Sequence, residues 1–343
     1  MAKVALVYNL IHLEQLGSRP LDSLAEYDSE ATIAALRDAL ETGGHEVLPL
    51  EADETIMEQL CETQPEIVFN IAEGLRGESR EAHVPAICEM LGLHYTGSGP
   101  LTLATCLNKA RTKEVLLHHG IPTPRFQVLA SPEAPLSEDL RYPLIVKLLH
   151  EGSSMGLSAA SVVDDEAALR AQCAYLIETY REPVLVEEFI EGREFTIGLL
   201  GNPPQVLPII EVLFDSPRGI VLFEVDPAVA AQMDSAHIDY SNLPRMPHRS
   251  VCPAPVDAAL QARIEERAVR AFTVLGCRDW GRLELRLGPD DELYVLELNP
   301  IAGIDPSYWL PWAAEVAGYS YAEFVNAILD HARRRNGHTR VVS

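Results

Sequence analysis

The stretch from Gly281 to Asn299 constrains this chain more than any other, because it spells a β-hairpin whose strands set like charges opposite each other. Gly281-Arg282-Leu283-Glu284-Leu285-Arg286-Leu287 alternates strictly. Successive side chains of a strand point to opposite faces, so Arg282, Glu284 and Arg286 share one face. Gly288-Pro289-Asp290-Asp291 is a turn signal, and Leu293–Asn299 reads as the return strand. With the turn centred between Asp290 and Asp291, Glu284 stands opposite Glu297 and Arg282 opposite Asn299. Directly opposed like charges destabilise a strand pair, so this face calls for something positive between the acids. A divalent cation meets that need. Two carboxylates and an amide oxygen suit Mg²⁺, which keeps its other positions for water and phosphate. A solvated face on which Arg282 and Arg286 neutralise the acids fits the same letters, and a slip of register would part the pair.

Two further clusters carry chemistry. In Lys147-Leu-Leu-His-Glu151-Gly152-Ser153-Ser154-Met155-Gly156 a lysine ends an apolar strand and a Gly/Ser loop follows. Small residues let backbone N–H groups approach phosphate oxygens, and the lysine adds a point charge. The spacing is not Gly-x4-Gly-Lys-[Ser/Thr], and an ordinary surface turn has the same composition. Val184-Leu-Val-Glu187-Glu188-Phe189-Ile190 is an apolar strand ending in carboxylates and an aromatic. Such an edge can pair with an adenine ring and its ribose, or simply be core with a charged exit. The turn after the first strand, residues 9–17, lacks Gly-x-Gly-x-x-Gly, so no dinucleotide site is indicated there.

The rest of the chain places these clusters. Its 343 residues suit two or three domains. Lys3–Tyr8 is a short apolar strand. Ile33, Leu36 and Leu40 form the stripe of a helix capped by Asp28 or Ser29 and stopped by Gly43-Gly44, with strands Val47–Leu50 and Ile67–Phe69 after it. That alternation is an open α/β layer. Next come a lysine-bearing helix (Asn108–His119), a stop at Gly120–Pro124, strand Leu144–Lys147, a helix over Glu166–Tyr180 and strand Val184–Glu188. Strand Glu194–Leu200 leads into an irregular Pro-rich stretch, 202–255. A helix over Ala258–Leu275, the hairpin, helices from Trp309 and a frayed basic tail after Arg333 complete the reading.

A net charge of −24 repels phosphate backbones and anionic lipid, so neither nucleic acid nor membrane is expected as a partner. No apolar run reaches the ~18–20 residues that cross a bilayer. Six scattered cysteines without a CxxC pair suit reduced thiols and a cytoplasmic location.

Lysine helix, strand lysine with Gly/Ser loop, acidic hinge and arginine–carboxylate hairpin, in that order, resemble the D-alanine–D-alanine ligases of the ATP-grasp superfamily over nearly the whole chain. Tyr95-Thr-Gly-Ser-Gly99 looks like the family's junction before its central domain. The resemblance implies an ATP-grasp fold, α/β with α+β lobes: an N-terminal domain (1–108), a central lobe (109–188), a C-terminal lobe (189–335) and a tail (336–343). It implies ATP on Lys109, Lys147, Glu151, Gly152, Ser153, Ser154, Met155, Gly156, Glu187, Glu188, Phe189, Ile190 and Glu194. Mg²⁺ (or Mn²⁺), as two ions, would lie on Glu284, Glu297 and Asn299. Arg282, Gly303 and Ser153 would serve catalysis, Arg282 with the Gly303 N–H holding an oxyanion. Glu26 is similar to the glutamate that grips the first amino acid's ammonium. A homodimer and small carboxylate and amine substrates are implied as well.

Three segments depart from the family, all on the substrate side. Asn70-Ile-Ala-Glu73-Gly74-Leu-Arg76-Gly77-Glu78-Ser-Arg80-Glu81 replaces His-Gly-x-x-Gly-Glu-Asp-Gly. The stretch His237–His248 has no lysine where the family's phosphate-covering loop carries one; Arg245 is the candidate surrogate, with His248 and Arg249 behind it. A serine-rich turn becomes Ile304-Asp305-Pro306-Ser307-Tyr308, which makes Asp305, Ser307 and Tyr308 candidate substrate residues. The expected reaction is ATP-dependent joining of a carboxylate to an amine, with substrates that need not be two D-alanines. A true D-alanine–D-alanine ligase and a non-catalytic nucleotide-binding protein are the other two readings.

Overall fold

Three sheets, each built by one third of the chain, carry the molecule; the structure, a computed structural model, describes residues 1–12, 20–216, 218–222 and 249–338. The first sheet is parallel, in the order β2-β1-β3-β4, from β1 (Lys3–Tyr8), β2 (Glu46–Glu51), β3 (Ile67–Asn70) and β4 (His94–Tyr95). Helices cover both faces of such a sheet, which is why β1 and β3 are apolar runs rather than alternations. Helix α1 (Glu30–Thr42) starts where the Ser29 side chain accepts the Thr32 N–H and buries Ile33, Leu36 and Leu40. It ends at Gly43, and Gly44 supplies the positive φ of +82° that follows. Helices α2 (Ile56–Thr63), α3 (His83–Leu91) and α4 (Pro100–Leu107) complete this layer.

Helix α5 (Lys109–His118), capped by the Asn108 side chain, opens the second unit. Its antiparallel sheet runs β5-β8-β6-β7, from β5 (Phe126–Leu129), β6 (Leu144–Leu148), β7 (Val162–Val163) and β8 (Val184–Glu188). Helix α6 (Glu166–Tyr180), capped by Asp165, packs Leu169, Cys173 and Leu176 onto it.

The third sheet is antiparallel, in the order β12-β11-β9-β13-β14 with β10 beside β9. Its strands are β9 (Arg193–Leu200), β10 (Gln205–Val206), β11 (Ile210–Leu213), β12 (Arg249–Val251), β13 (Trp280–Leu287) and β14 (Leu293–Asn299). Helices α7 (Ala258–Val274), α8 (Trp309–Val316) and α9 (Tyr321–His338) pack around it. Two expectations fail here. The described residues of the stretch 202–255 hold three strands, each too short to show a period. Nor does the last helix end at Arg333: α9 continues to His338, and Arg335 donates to Asp279 (2.8 Å) and to the Tyr95 carbonyl (2.9 Å). The Gly97 N–H donates to the same Asp279, which is fully buried, so one carboxylate ties the first layer to the third sheet. Leu36, Leu40 and Phe69 share a core with Trp280, Phe324 and Ile328.

Candidate active site

The hairpin pairs Glu284 with Glu297 and Arg282 with Asn299, but not through a turn centred between Asp290 and Asp291. Near the turn Leu287 faces Leu293 and Leu285 faces Val295, one residue out of step; a bulge at Leu296 restores the register. The Arg282 guanidinium donates to Glu284 (2.7 Å) and lies 5.4 Å over the Trp309 ring. Burial, and then the charge of Glu297, push the Glu284 carboxyl up to about 7 against the pull of Arg282. Glu297 is held below its ordinary range despite burial, by Lys109, Lys147 and Arg282. Asn299 lies beside it, its amide 3.5 Å from Glu297. One strained acid, one ionised acid and an amide oxygen form a donor set that a hard divalent cation would relieve. No group of three or more His, Cys, Asp or Glu side chains able to hold a metal occurs among the described residues. Arg286 is not on a solvated face. It is buried, bonds Glu194 (2.7 Å) and the Ile190 carbonyl (2.9 Å), and stacks on Phe189 at 4.7 Å.

Opposite the hairpin stand three lysines, one of which the sequence reading missed. Glu187, 1 % exposed, forms an ion pair with Lys147 through one oxygen (2.5 Å) and with Lys113 through the other (2.7 Å). Lys113 is fully buried and also donates to Thr123 Oγ1 (2.8 Å) and to the Leu296 carbonyl at the bulge (3.2 Å). Its signal was present: Lys109 and Lys113 are four apart on α5 and so share a face. Lys109 donates to the Glu151 carbonyl and sits 3.9 Å from Glu297.

Between them runs the loop Glu151–Gly156. Ser153 (φ +48°) and Ser154 (φ +59°) are consecutive left-handed residues that are not glycine, a strained conformation that persists only where the surroundings enforce it. The first layer does the enforcing: Glu26 accepts the Gly152 N–H, and Asp22 accepts the Gly156 N–H (2.8 Å) and the Tyr180 hydroxyl (2.8 Å). Glu26 also pairs with Arg80 (2.6 Å), so its carboxylate is engaged on both oxygens.

On the substrate side, Asp305 accepts Thr32 (2.9 Å) on one oxygen and the Ser307 N–H (2.8 Å) on the other. It faces Asp28, whose carboxyl burial and Asp305 push up to about 8. The Tyr308 ring packs on Gly303 so closely that a Cβ there would stand 2.4 Å from it. Asp305, Tyr308, Gly303 and Arg282 are thus neighbours, whereas Glu26 belongs to the loop and Ser307 turns back onto Asp305. Arg245 and His248 lie outside the described residues. Arg249 is a surface residue of β12, paired with Asp215 at 3.3 Å.

A cleft between the second and third sheets gathers Lys109, Lys147, Glu151, Gly152, Ser154, Met155, Glu187, Glu188, Phe189, Ile190, Glu194, Glu284 and Glu297 on its walls. Ile145, Leu148, Leu157, Ile220, Val221 and Leu296 supply its apolar lining. Ser153 stays exposed beside it. A wider groove behind the hinge, between Pro122, Arg125, Arg141 and Tyr294, shares only Glu188 with this cleft and gathers no opposed acids.

Comparison with known proteins agrees with this geometry. The family model described as the D-ala D-ala ligase C-terminus matches residues 115–330. The chain is 34% identical to the uncharacterized protein y4sG of Sinorhizobium fredii over 317 residues, 90% of this chain and 88% of that one. It is 32% identical to the D-alanine–D-alanine ligase of Desulforudis audaxviator over 302 residues, 87% of this chain and 91% of that one. Its fold matches the crystal structure of the D-alanine–D-alanine ligase from Bacillus anthracis complexed with ATP. The TM-score is 0.74 at 20% identity, over 98% of this chain and 99% of that one.

Proposed function

Because the chain belongs to the D-alanine–D-alanine ligase family, we propose that it is an ATP-dependent, ADP-forming ligase that joins a carboxylate to an amine. The observation that carries this reading is the cleft itself, where Lys109 and Lys147 face an opposed pair of glutamates beside a strained Gly/Ser loop, with Lys113 buried behind them on Glu187. ATP would lie with its base against Phe189 and Ile190 and its phosphates along the loop. The γ-phosphoryl group passes to a substrate carboxylate, the amine attacks the acyl phosphate, and phosphate leaves. Lys109 and Lys147 orient the phosphates. Arg282 and the Gly303 N–H would stabilise the tetrahedral oxyanion of the second step. Glu284, Glu297 and Asn299 would hold Mg²⁺, which supplies charge neutralisation on the transferred group. Closure of the two lobes keeps water from the acyl phosphate.

Engagement of Glu26 and the Asp305–Tyr308 turn favour substrates other than two D-alanines. The test is phosphate release with Mg²⁺ and ATP over D- and L-amino acids, singly and in pairs. D-alanine alone is expected to give little release; robust D-Ala–D-Ala formation at millimolar substrate would return the chain to the narrower activity. No release with any pair would remove the ligase reading.

The cleft is tested separately through Lys147. Lys147→Ala leaves Glu187 paired with Lys113 and should fold, but it removes a charge-assisted phosphate contact of about 1.5–3 kcal/mol. Calorimetry should therefore show ATP and ADP both bound at least tenfold more weakly than by the parent. Equal affinities would remove Lys147 from the phosphate site. No helix among the described residues is long and apolar enough to cross a membrane.

A further inference from the structure

We propose that Arg80 is a positioning residue that fixes the loop Glu151–Gly156 for the nucleotide by tying it to Glu26 of the first layer. The proposal rests on the nucleotide reading of the cleft. Arg80 is 7 % exposed and spends one guanidinium nitrogen on two acids, Glu26 at 2.6 Å and Glu151 at 2.8 Å. Its other terminal nitrogen donates to the His150 carbonyl at 3.0 Å, the residue that leads into the loop. A planar fork can bridge partners in this way, which a lysine ammonium does less well. Both ends of the loop are held by first-layer carboxylates: Glu26 on the Gly152 N–H and Asp22 on the Gly156 N–H. Among the described residues, two acids converge with a cation between them at the Glu26 end and not at the Asp22 end.

Without Arg80 this corner would be strongly negative. Glu26, Glu73, Glu81 and Glu151 converge on it, with Glu182 (beside His150) on the far side and Lys109 as the nearest further cation. Burial, with Glu26 adding, pushes Glu81 up to about 8, and burial with Glu26 pushes Glu151 up to about 7 although Arg80 opposes it. A loop with two left-handed serines has little intrinsic preference for its shape, so repulsion between Glu26 and Glu151 would release it.

The experiment measures binding of ATP in the presence of Mg²⁺ by calorimetry, which needs no knowledge of the amino-acid substrate. Arg80→Met should bind at least tenfold more weakly than the parent at pH 7.5. The double variant Arg80→Met/Glu26→Gln should recover most of that loss, because glutamine keeps an oxygen for the Gly152 N–H and offers an N–H to Glu151. Lowering the pH from 8 to 6 should narrow the gap between Arg80→Met and the parent, as Glu151 takes up a proton. A side chain that merely filled space would give losses that add in the double variant and do not depend on pH. Parental affinity in Arg80→Met, or a double variant no better than the single one, overturns the proposal. If Arg80→Met is too unstable to titrate, Arg80→Lys and Arg80→Lys/Glu26→Gln replace it, with the same order of affinities deciding. A parent that binds no ATP overturns the reading of the cleft and this proposal with it.

Discussion

Replacing Glu297 by glutamine is expected to lower turnover at least a hundredfold, about 2.7 kcal/mol of transition-state stabilisation, while leaving the fold in place. The physical reason is the pairing across β13 and β14, where Glu284 and Glu297 face each other on neighbouring strands. In the metal-free protein the two cannot both be comfortably ionised. Glu284 holds a proton up to about 7 and Glu297 is the charged partner, kept so by Lys109, Lys147 and Arg282. Glutamine removes that charge, relieves the repulsion and leaves a cation with one carboxylate instead of two. The pH dependence has a definite sign. Binding of Mg²⁺ must expel the proton from Glu284, so Mg²⁺-dependent turnover of the parent should fall as the pH drops through about 7. The Glu284 carboxyl is raised in the folded state, so its contribution to metal-free stability is full below the ordinary glutamate value and is lost as the pH rises through 7. Without Glu297 part of that elevation disappears, and melting of the metal-free variant should vary less between pH 5 and 8 than melting of the parent. Near-parental turnover in a folded Glu297→Gln protein would remove the pair from the chemistry.

That pair was legible in the sequence for a reason that holds only in part. Strict alternation put Glu284 on a polar face, and the return strand put Glu297 within one residue of it. The register at the turn was one residue off, and the bulge at Leu296 supplied the missing step. A bulge is set by what packs behind a strand, here the segment Pro122–Thr123 and Lys113, and neighbouring letters do not announce that. The same limit hid Arg80, whose partners lie 54 and 71 residues away in the chain. Local signals did better. Ser29, Asn108 and Asp165 each cap a helix as side chains of their type do at such positions, and the strands and helices read in the first 200 residues fall within a residue or two of their patterns, whereas α2, α3, α4, β4, β5 and β7 were not read. Glu26 was assigned a substrate's ammonium through its similarity to a glutamate of the family. In the folded chain the amide of Gly152 and the guanidinium of Arg80 reach it first.

Lys113→Met should cost more stability than any other single change in the cleft, about 3–5 kcal/mol of a total that for such proteins is about 5–15. Lys113 is fully buried, and Glu187, its partner at 2.7 Å, is 1 % exposed. Burial works to discharge Lys113 and the carboxylate works to keep it charged, so neither group is comfortable without the other. Methionine fills the space and leaves Glu187 with Lys147 alone. The change also reaches the chemistry. Lys113 is the donor to the Leu296 carbonyl, which the bulge frees from the strand ladder, and to Thr123, whose hydroxyl in turn holds the Val295 carbonyl. Those bonds pin the point at which β14 steps by one residue, and the step is what sets Glu297 opposite Glu284. Urea unfolding of the metal-free protein should show the stability loss, and Mg²⁺-dependent ATP binding at low denaturant should weaken even where the variant is fully folded. Lys147→Ala serves as the contrast: it removes a cation from the cleft edge, should weaken nucleotide as much, and should cost less stability because the bonds of Lys113 to Thr123 and to the Leu296 carbonyl stay in place. A Lys113→Met protein as stable as the parent would mean that Glu187 folds in protonated and that the bulge is held by packing alone.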